Sequence, residues 1–169
     1  MMYQWPMRAR LGCVIGLVLW RTITVTGQTA PAGLPQDLRA HLQNERFDVV
    51  STSGGLPGGV RTELRTLFGD GRPTLELAEP GARYQGTSRR VNPRLPLRRL
   101  VAAGCSREDC LIYYERGGAT HMWRVVLFHW TPYATRLEWG GTAPGGLATI
   151  EDVRRGVLSG AIKGSAGPW

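Results

Sequence analysis

"THMWRVVLFHW", residues 120–130, decides how the rest of the chain is read. In a strand, successive side chains point to opposite faces. Here Trp123, Val125 and Leu127 fall on one side and Met122, Val126 and Phe128 on the other, so both sets are largely apolar. A strand with one wet face alternates with polar residues; this one reads as a central strand covered on both faces.

The neighbouring segments extend that reading. "LRRLVAAG" (97–104), "CLIYYERGG" (110–118) and "TRLEWGG" (135–141) are strand-like, and the connections "SRED", "GGA" and "TPYA" are short. Short connections suit an antiparallel meander, because parallel strands need a crossover of a dozen residues or more. On the N-terminal side, "LPQDLRAHLQNERF" (34–47) reads as a helix with Pro35 at its start and Leu38 and Leu42 one turn apart. "RFDVVST" (46–52) and "TLELAE" (74–79) read as strands. "GVRTELRTLFGDG" (59–71) sets Val60, Leu64, Leu67 and Phe68 on one helical face, and Gly69 ends the helix. In "TIEDVRRGVLSG" (149–160), Thr149 and Asp152 form a capping box; Ile150, Val153, Val157 and Leu158 make the apolar face, and Gly160 stops it. Helices on either side of a block of strands give an α+β fold: a mainly antiparallel sheet with about three helices packed on it.

The first residues do not belong to that fold. "MMYQWPMRAR" carries Arg8 and Arg10 without an acid, "LGCVIGLVLW" is apolar, and "RTITVTGQTAPA" is small and polar. That is the order of a secretory signal peptide. The expected organisation is a signal peptide over 1–27, cut after Gly27 (or after Ala30 or Ala32), a flexible segment over 28–33, one exported domain over 34–160 and a C-terminal tail over 161–169. The apolar run is shorter than the roughly 20 residues of a membrane span, although an uncut N-terminal anchor is the alternative. Cys13 is a poor lipoprotein site, since the apolar run follows it. Losing Arg8, Arg10 and Arg21 takes the formal charge from +8 to about +5. About 140 residues then remain, enough to bury roughly two-thirds of their unfolded surface. The expected location is the periplasm or beyond.

Export leaves Cys105 and Cys110 in a compartment that permits disulfides. They flank "SRED" between two strand-like runs, so a bridge across the hairpin neck is expected, pinning its register. A redox pair favours a two-residue spacer at a helix N-terminus, and zinc needs two further ligands that the neighbourhood lacks. No metal site and no cofactor motif is expected. His121 and His129 sit about 26 Å apart at the ends of one strand, at roughly 3.3 Å per residue, and cannot share an ion. His41 alone can approach one of them.

"SGGLPGGVRT" (53–62) invites comparison with a phosphate cradle, Gly54 and Gly59 standing five apart. A P-loop needs a lysine after its second glycine. Here Val60 and Arg61 follow, and Pro57 removes an amide. No nucleotide is expected; the stretch reads as a strand-to-helix turn whose glycines supply unusual backbone angles.

The most specific chemical feature is basic. Seven arginines and no acid lie between Gly81 and Arg107, several of them in the loop "PGARYQGTSRRVNPRLP" (80–96). Arg89, Arg90, Arg94, Arg98 and Arg99 are the candidate anion-binding residues, since guanidinium grips carboxylate, phosphate or sulfate bidentately. Candidate partners are an anionic polymer, a lipid headgroup or an acidic protein surface. Tyr84 is a single ring for base stacking, so nucleic acid is not favoured. Twenty arginines against one lysine, Lys163, is also what GC-rich coding produces without selection for binding.

Six tryptophans, four of them after position 120, raise a carbohydrate platform. Trp123 and Trp130 have opposite parity in one strand, so core packing accounts for them better. No Gly-x-Ser-x-Gly or His-Glu-x-x-His occurs. The expectation is a non-enzymatic binding or interaction module. The alternatives are a small extracytoplasmic hydrolase, with Asp48, Ser51, Ser53 and His129 available, and a structural accessory of an envelope assembly docking through a sheet edge or Trp169.

Overall fold

The computed structural model describes residues 33–69, 71–86, 92, 94–165, 167 and 169. The expected signal peptide over 1–27 lies outside the described residues, as does all but Gly33 of the segment 28–33. In chain order the elements are α1 (Gln36–Asn44), β1 (Asp48–Val49), a one-turn 3-10 helix (Ser53–Gly55), α2 (Gly58–Phe68), β2 (Leu77–Ala78), β3 (Arg98–Cys105), β4 (Asp109–Arg116), β5 (Met122–Trp130), β6 (Thr135–Ala143), α3 (Ile150–Ser159) and β7 (Lys163–Gly164). No helix among the described residues is long and apolar enough to cross a membrane.

The fold is α+β. The seven strands form one sheet, ordered β1-β3-β4-β5-β6-β7 with β2 also on β3, and β3 to β6 are the antiparallel meander. The sheet lies between two helical layers. Leu111, Tyr113, Val125 and Leu127 pack with Leu42 of α1 and Val153 and Val157 of α3. Ile112, Tyr114, Val126 and Phe128 pack with Val60, Leu64 and Phe68 of α2. All four apolar positions from Val125 to Phe128 are buried. Each such side chain contributes about 1.5–3 kcal/mol when removed from water. The tryptophans divide by parity as expected: Trp123 joins the α1/α3 layer and Trp130 the α2 layer.

Local signals place the helix ends. Gly69 adopts φ 64°, and its N–H donates to Arg65 O and Thr66 O. Thr149 and Asp152 form the expected capping box, and Gly160 closes α3 at φ 78°. Positive φ at both glycines is what a left-handed helix terminus requires.

Four expectations change. The runs 46–52 and 74–79 contract to the two-residue strands β1 and β2, because one edge of β3 serves both. β1 pairs antiparallel with Gly104 and Cys105, and β2 pairs parallel with Arg98 and Arg99. Val49 is left 75% exposed. The 161–169 stretch is not a loose tail in its described part: Ile162 is buried, β7 pairs with β6, and Trp169 packs against the α2-side core. The glycines of the 53–62 turn are absent from the positive-φ set of the described residues. At two of them, Gly55 and Gly59, small size is what matters. A Cβ on Gly59 would overlap Thr135 of β6, and one on Gly55 would press Val50 and Thr52. The fourth change concerns an arginine of the candidate site.

Candidate functional site

Of the five arginines expected to face an anion, Arg89 and Arg90 lie outside the described residues. Arg94 is exposed, its backbone N–H bonded to Asn92 Oδ1 at 3.0 Å. Arg98 is the correction, being 2% exposed. It shares the Leu100 face of β3, which turns toward α2. There its guanidinium lies 4.1 Å from the Phe68 ring centre and donates to Phe68 O (3.2 Å) and Trp169 O (2.7 Å). It ties the last turn of α2 to the sheet and offers a partner no surface.

Arg99 faces the opposite way, into an internal cluster at the far end of β4. It pairs with Glu115, donates to Ala82 O at 3.2 Å and lies 4.5 Å over the Tyr84 ring. Tyr84 Oη donates to Glu115 Oε2 at 2.8 Å, and His121 Nε2 stands 3.0 Å from the same oxygen. Burial pushes the Tyr84 hydroxyl up to about 12, with the Glu115 hydrogen bond adding to it. For Glu115, burial alone would raise the carboxyl. The hydrogen bonds from Tyr84, Arg99 and His121 outweigh that and hold it below its ordinary value. Arg99 is therefore spoken for inside the molecule.

The open basic surface lies elsewhere, along α2. Ser53, Gly54, Gly58, Arg61, Thr62 and Arg65 line a groove of about 340 Å³ whose far wall is Thr74 and Leu75. Beyond Arg65 the hollow continues past Thr66 to Arg72 and Pro73. Arg61 and Arg65 stand one turn apart on the exposed face of α2, opposite its apolar stripe. Arg61 donates to Gly54 O at 3.2 Å and Arg65 to Pro73 O at 2.7 Å, so each is braced against a wall by one bond. Neither has an ion-pair partner among the described residues. Arg72 reaches Glu76 at 3.7 Å. A guanidinium carries five N–H donors, so most of the donors on Arg61 and Arg65 remain for a ligand. The neighbouring hydroxyls donate within the chain, Thr62 Oγ1 to Gly58 O at 3.1 Å and Thr66 Oγ1 to Thr62 O at 3.2 Å, and leave the ligand to the arginines.

The glycine turn itself is closed to an outside anion. Ser53 N–H donates to Glu79 Oε2 at 2.8 Å and Ser53 Oγ to Glu79 Oε1 at 2.6 Å. The cradle holds a carboxylate of its own chain. A broader hollow beside α3 includes Arg155, but Asp152 pairs with it there and cancels the charge.

The two strand-end histidines go to separate clusters, His121 to Glu115 and His129 to Asp109. His41 joins the second, with Asp109 and Glu45. Burial and the nearby Glu45 charge push the Asp109 carboxyl above its ordinary range, and the two histidines offset this in part. Three of the residues available for a hydrolase have other partners among the described residues. Ser53 is held by Glu79, Asp48 faces Arg46 at 3.4 Å, and His129 faces Asp109 at 3.5 Å.

The cysteines meet as the hairpin requires. Cys105 and Cys110 are register partners with Cα atoms 4.1 Å apart and sulfurs 2.07 Å apart. In "GVRTELRT" the apolar stripe of the helix overshadows a second pattern, the Arg61/Arg65 pair. The signal was there: arginines at i and i+4 interleaved with Thr62 and Thr66. No protein-family model, no curated protein and no solved structure matches the chain, so this geometry is what a functional reading has to rest on.

Proposed function

We propose that the protein is an exported, non-enzymatic binding module that receives an anionic partner along the α2 groove, with the loop arginines Arg83, Arg89, Arg90 and Arg94 as a second basic surface. One observation carries the reading: Arg61 and Arg65, exposed and without a carboxylate partner among the described residues, line one groove. Such a pair suits phosphate, sulfate or carboxylate groups spaced along a polymer or a surface. The cysteine pair at bonding distance favours an oxidising compartment, in keeping with export.

The test is binding of inorganic polyphosphate to the purified chain, followed by fluorescence anisotropy across a sodium chloride series. Affinity falls steeply with salt if exposed charges carry it. Arg61→Gln with Arg65→Gln weakens binding by about tenfold or more, the equivalent of about 1.4 kcal/mol. The triple variant Arg89→Gln, Arg90→Gln, Arg94→Gln is the comparison. Loss in the triple variant alone moves the contact to the loop and overturns the groove. Salt-independent binding, or none, removes the anion reading altogether.

A further inference from the structure

At the end of β4 remote from Glu115, three elements bring four metal-ligating side chains together. His41 and Glu45 stand one turn apart on and just past α1; Asp109 opens β4; and His129 of β5 is the register partner of Asp109. His41 Nδ1 lies 3.0 Å from Glu45 Oε1 and 3.1 Å from Asp109 Oδ2. One ligand atom from each of these three residues falls within 4.8 Å of the other two. His129 Nδ1 approaches the other Asp109 oxygen at 3.5 Å.

Two observations distinguish this cluster from an ordinary hydrogen-bonded network. First, charge: the chain has twenty arginines, yet both carboxylates here have only histidines as ion-pair partners among the described residues. Asp109 is 2% exposed, so water does little to solvate its charge. Second, stoichiometry: an imidazole Nδ1 carries at most one hydrogen, and two carboxylates compete for it. A cation held by all three satisfies both.

The surroundings hold the donors in place. Ser106 Oγ donates to the second oxygen of Glu45 and accepts from Asp109 N at 3.0 Å. Ser106 and Asp109 are the two ends of the turn that Cys105 and Cys110 bracket. The bridge thus fixes the strand ends that carry one ligand and one supporting hydroxyl. A ligand's orienting partner of this kind ordinarily matters 10–100-fold in metal affinity. His41 is 45% exposed and His129 32%, which leaves an entry path.

We propose that His41 Nδ1, Glu45 and Asp109 form a zinc-binding site, with His129 as the fourth donor after rotation of its side chain. An imidazole-and-carboxylate set of this kind suits zinc, whereas magnesium and calcium take oxygen ligands. The site is separate from the α2 groove and does not depend on the anion reading.

The test is calorimetric titration of zinc chloride into the untagged full chain, with cobalt(II) substitution as a spectroscopic readout. The expected result is one ion per chain, the visible absorption of four-coordinate cobalt, and a zinc-dependent rise in Tm. His41→Ala abolishes all three, and Ser106→Ala weakens binding about tenfold. His41 is largely exposed, so its variant folds; far-UV circular dichroism checks this, and His129→Gln supplies an independent arm with weakened binding and an altered cobalt spectrum. Absence of stoichiometric binding, equal binding of magnesium, or full zinc affinity in His41→Ala overturns the proposal.

Discussion

Arg98 and Arg99 stand side by side in the chain and serve opposite faces of the sheet, which is why their fates diverge. Arg98 is spent on the end of α2, and Arg99 on Glu115. Glu115 is the more informative partner. Its side chain is 8% exposed, and it gathers a guanidinium, a phenol and an imidazole. Because its folded-state value lies below the ordinary 4.5, its contribution is present in full above that pH and is lost as acid drives it through the lowered value. Glu115→Gln should therefore cost about 1–3 kcal/mol at pH 7, discounted because Arg99 is partly exposed. The gap to the parent chain should close as pH falls below 4.5, which urea denaturation at pH 7 and pH 3 will read. The sequence displayed every member of this cluster, but not that Tyr84, Glu115 and His121 meet. Nothing in spacing reports that the long loop folds back onto β4.

Among elements, those with a strong local signal formed where the pattern put them. α2, α3 and the four meander strands follow from periodicity and punctuation alone, since their apolar faces and their end residues agree. α3 depends on its first turn. Thr149 Oγ1 accepts from Asp152 N at 3.1 Å, and the Asp152 carboxylate accepts from Thr149 N at 3.2 Å. Thr149→Ala should lower stability by about 1 kcal/mol, read as a drop in Tm, while Thr149→Ser should leave it nearly unchanged. β1 and β2 were over-read for a reason that belongs to the sheet and not to their residues. Strand propensity extends as far as a partner edge is free, and β3 has one outer edge for two claimants. The candidate groove was half legible: the arginine spacing was visible on the helix. The opposing wall at Thr74 and Leu75 comes from a segment without a periodic signal.

At the scale of the molecule, the two faces of the sheet make one structure. Leu111 and Ile112 are chain neighbours, both fully buried, yet one belongs to the α1/α3 layer and the other to the α2 layer. Leu111→Ala and Ile112→Ala should each cost about 2–5 kcal/mol. Both variants should still unfold in one transition, with circular dichroism and tryptophan fluorescence coinciding. Two separated transitions would mean that the layers are held independently. Two-sided burial was readable from "MWRVVLFHW", because no polar set interrupts it. Which helix covers which face was not, since helices on either side satisfy the same pattern.

The outer margin of β3 has a consequence for life at high concentration. An unpaired margin of a long strand is a template onto which another chain can zip, the first step toward fibres. Here β2 takes one end and β1 the other, Val50 N–H reaches Ala103 O at 2.9 Å, and the strand is irregular between Leu100 and Ala102. An intruding peptide meets a short, kinked gap in place of a straight row of donors and acceptors. Two stubs too small to look like strands thus guard the chain against polymerising with its own copies.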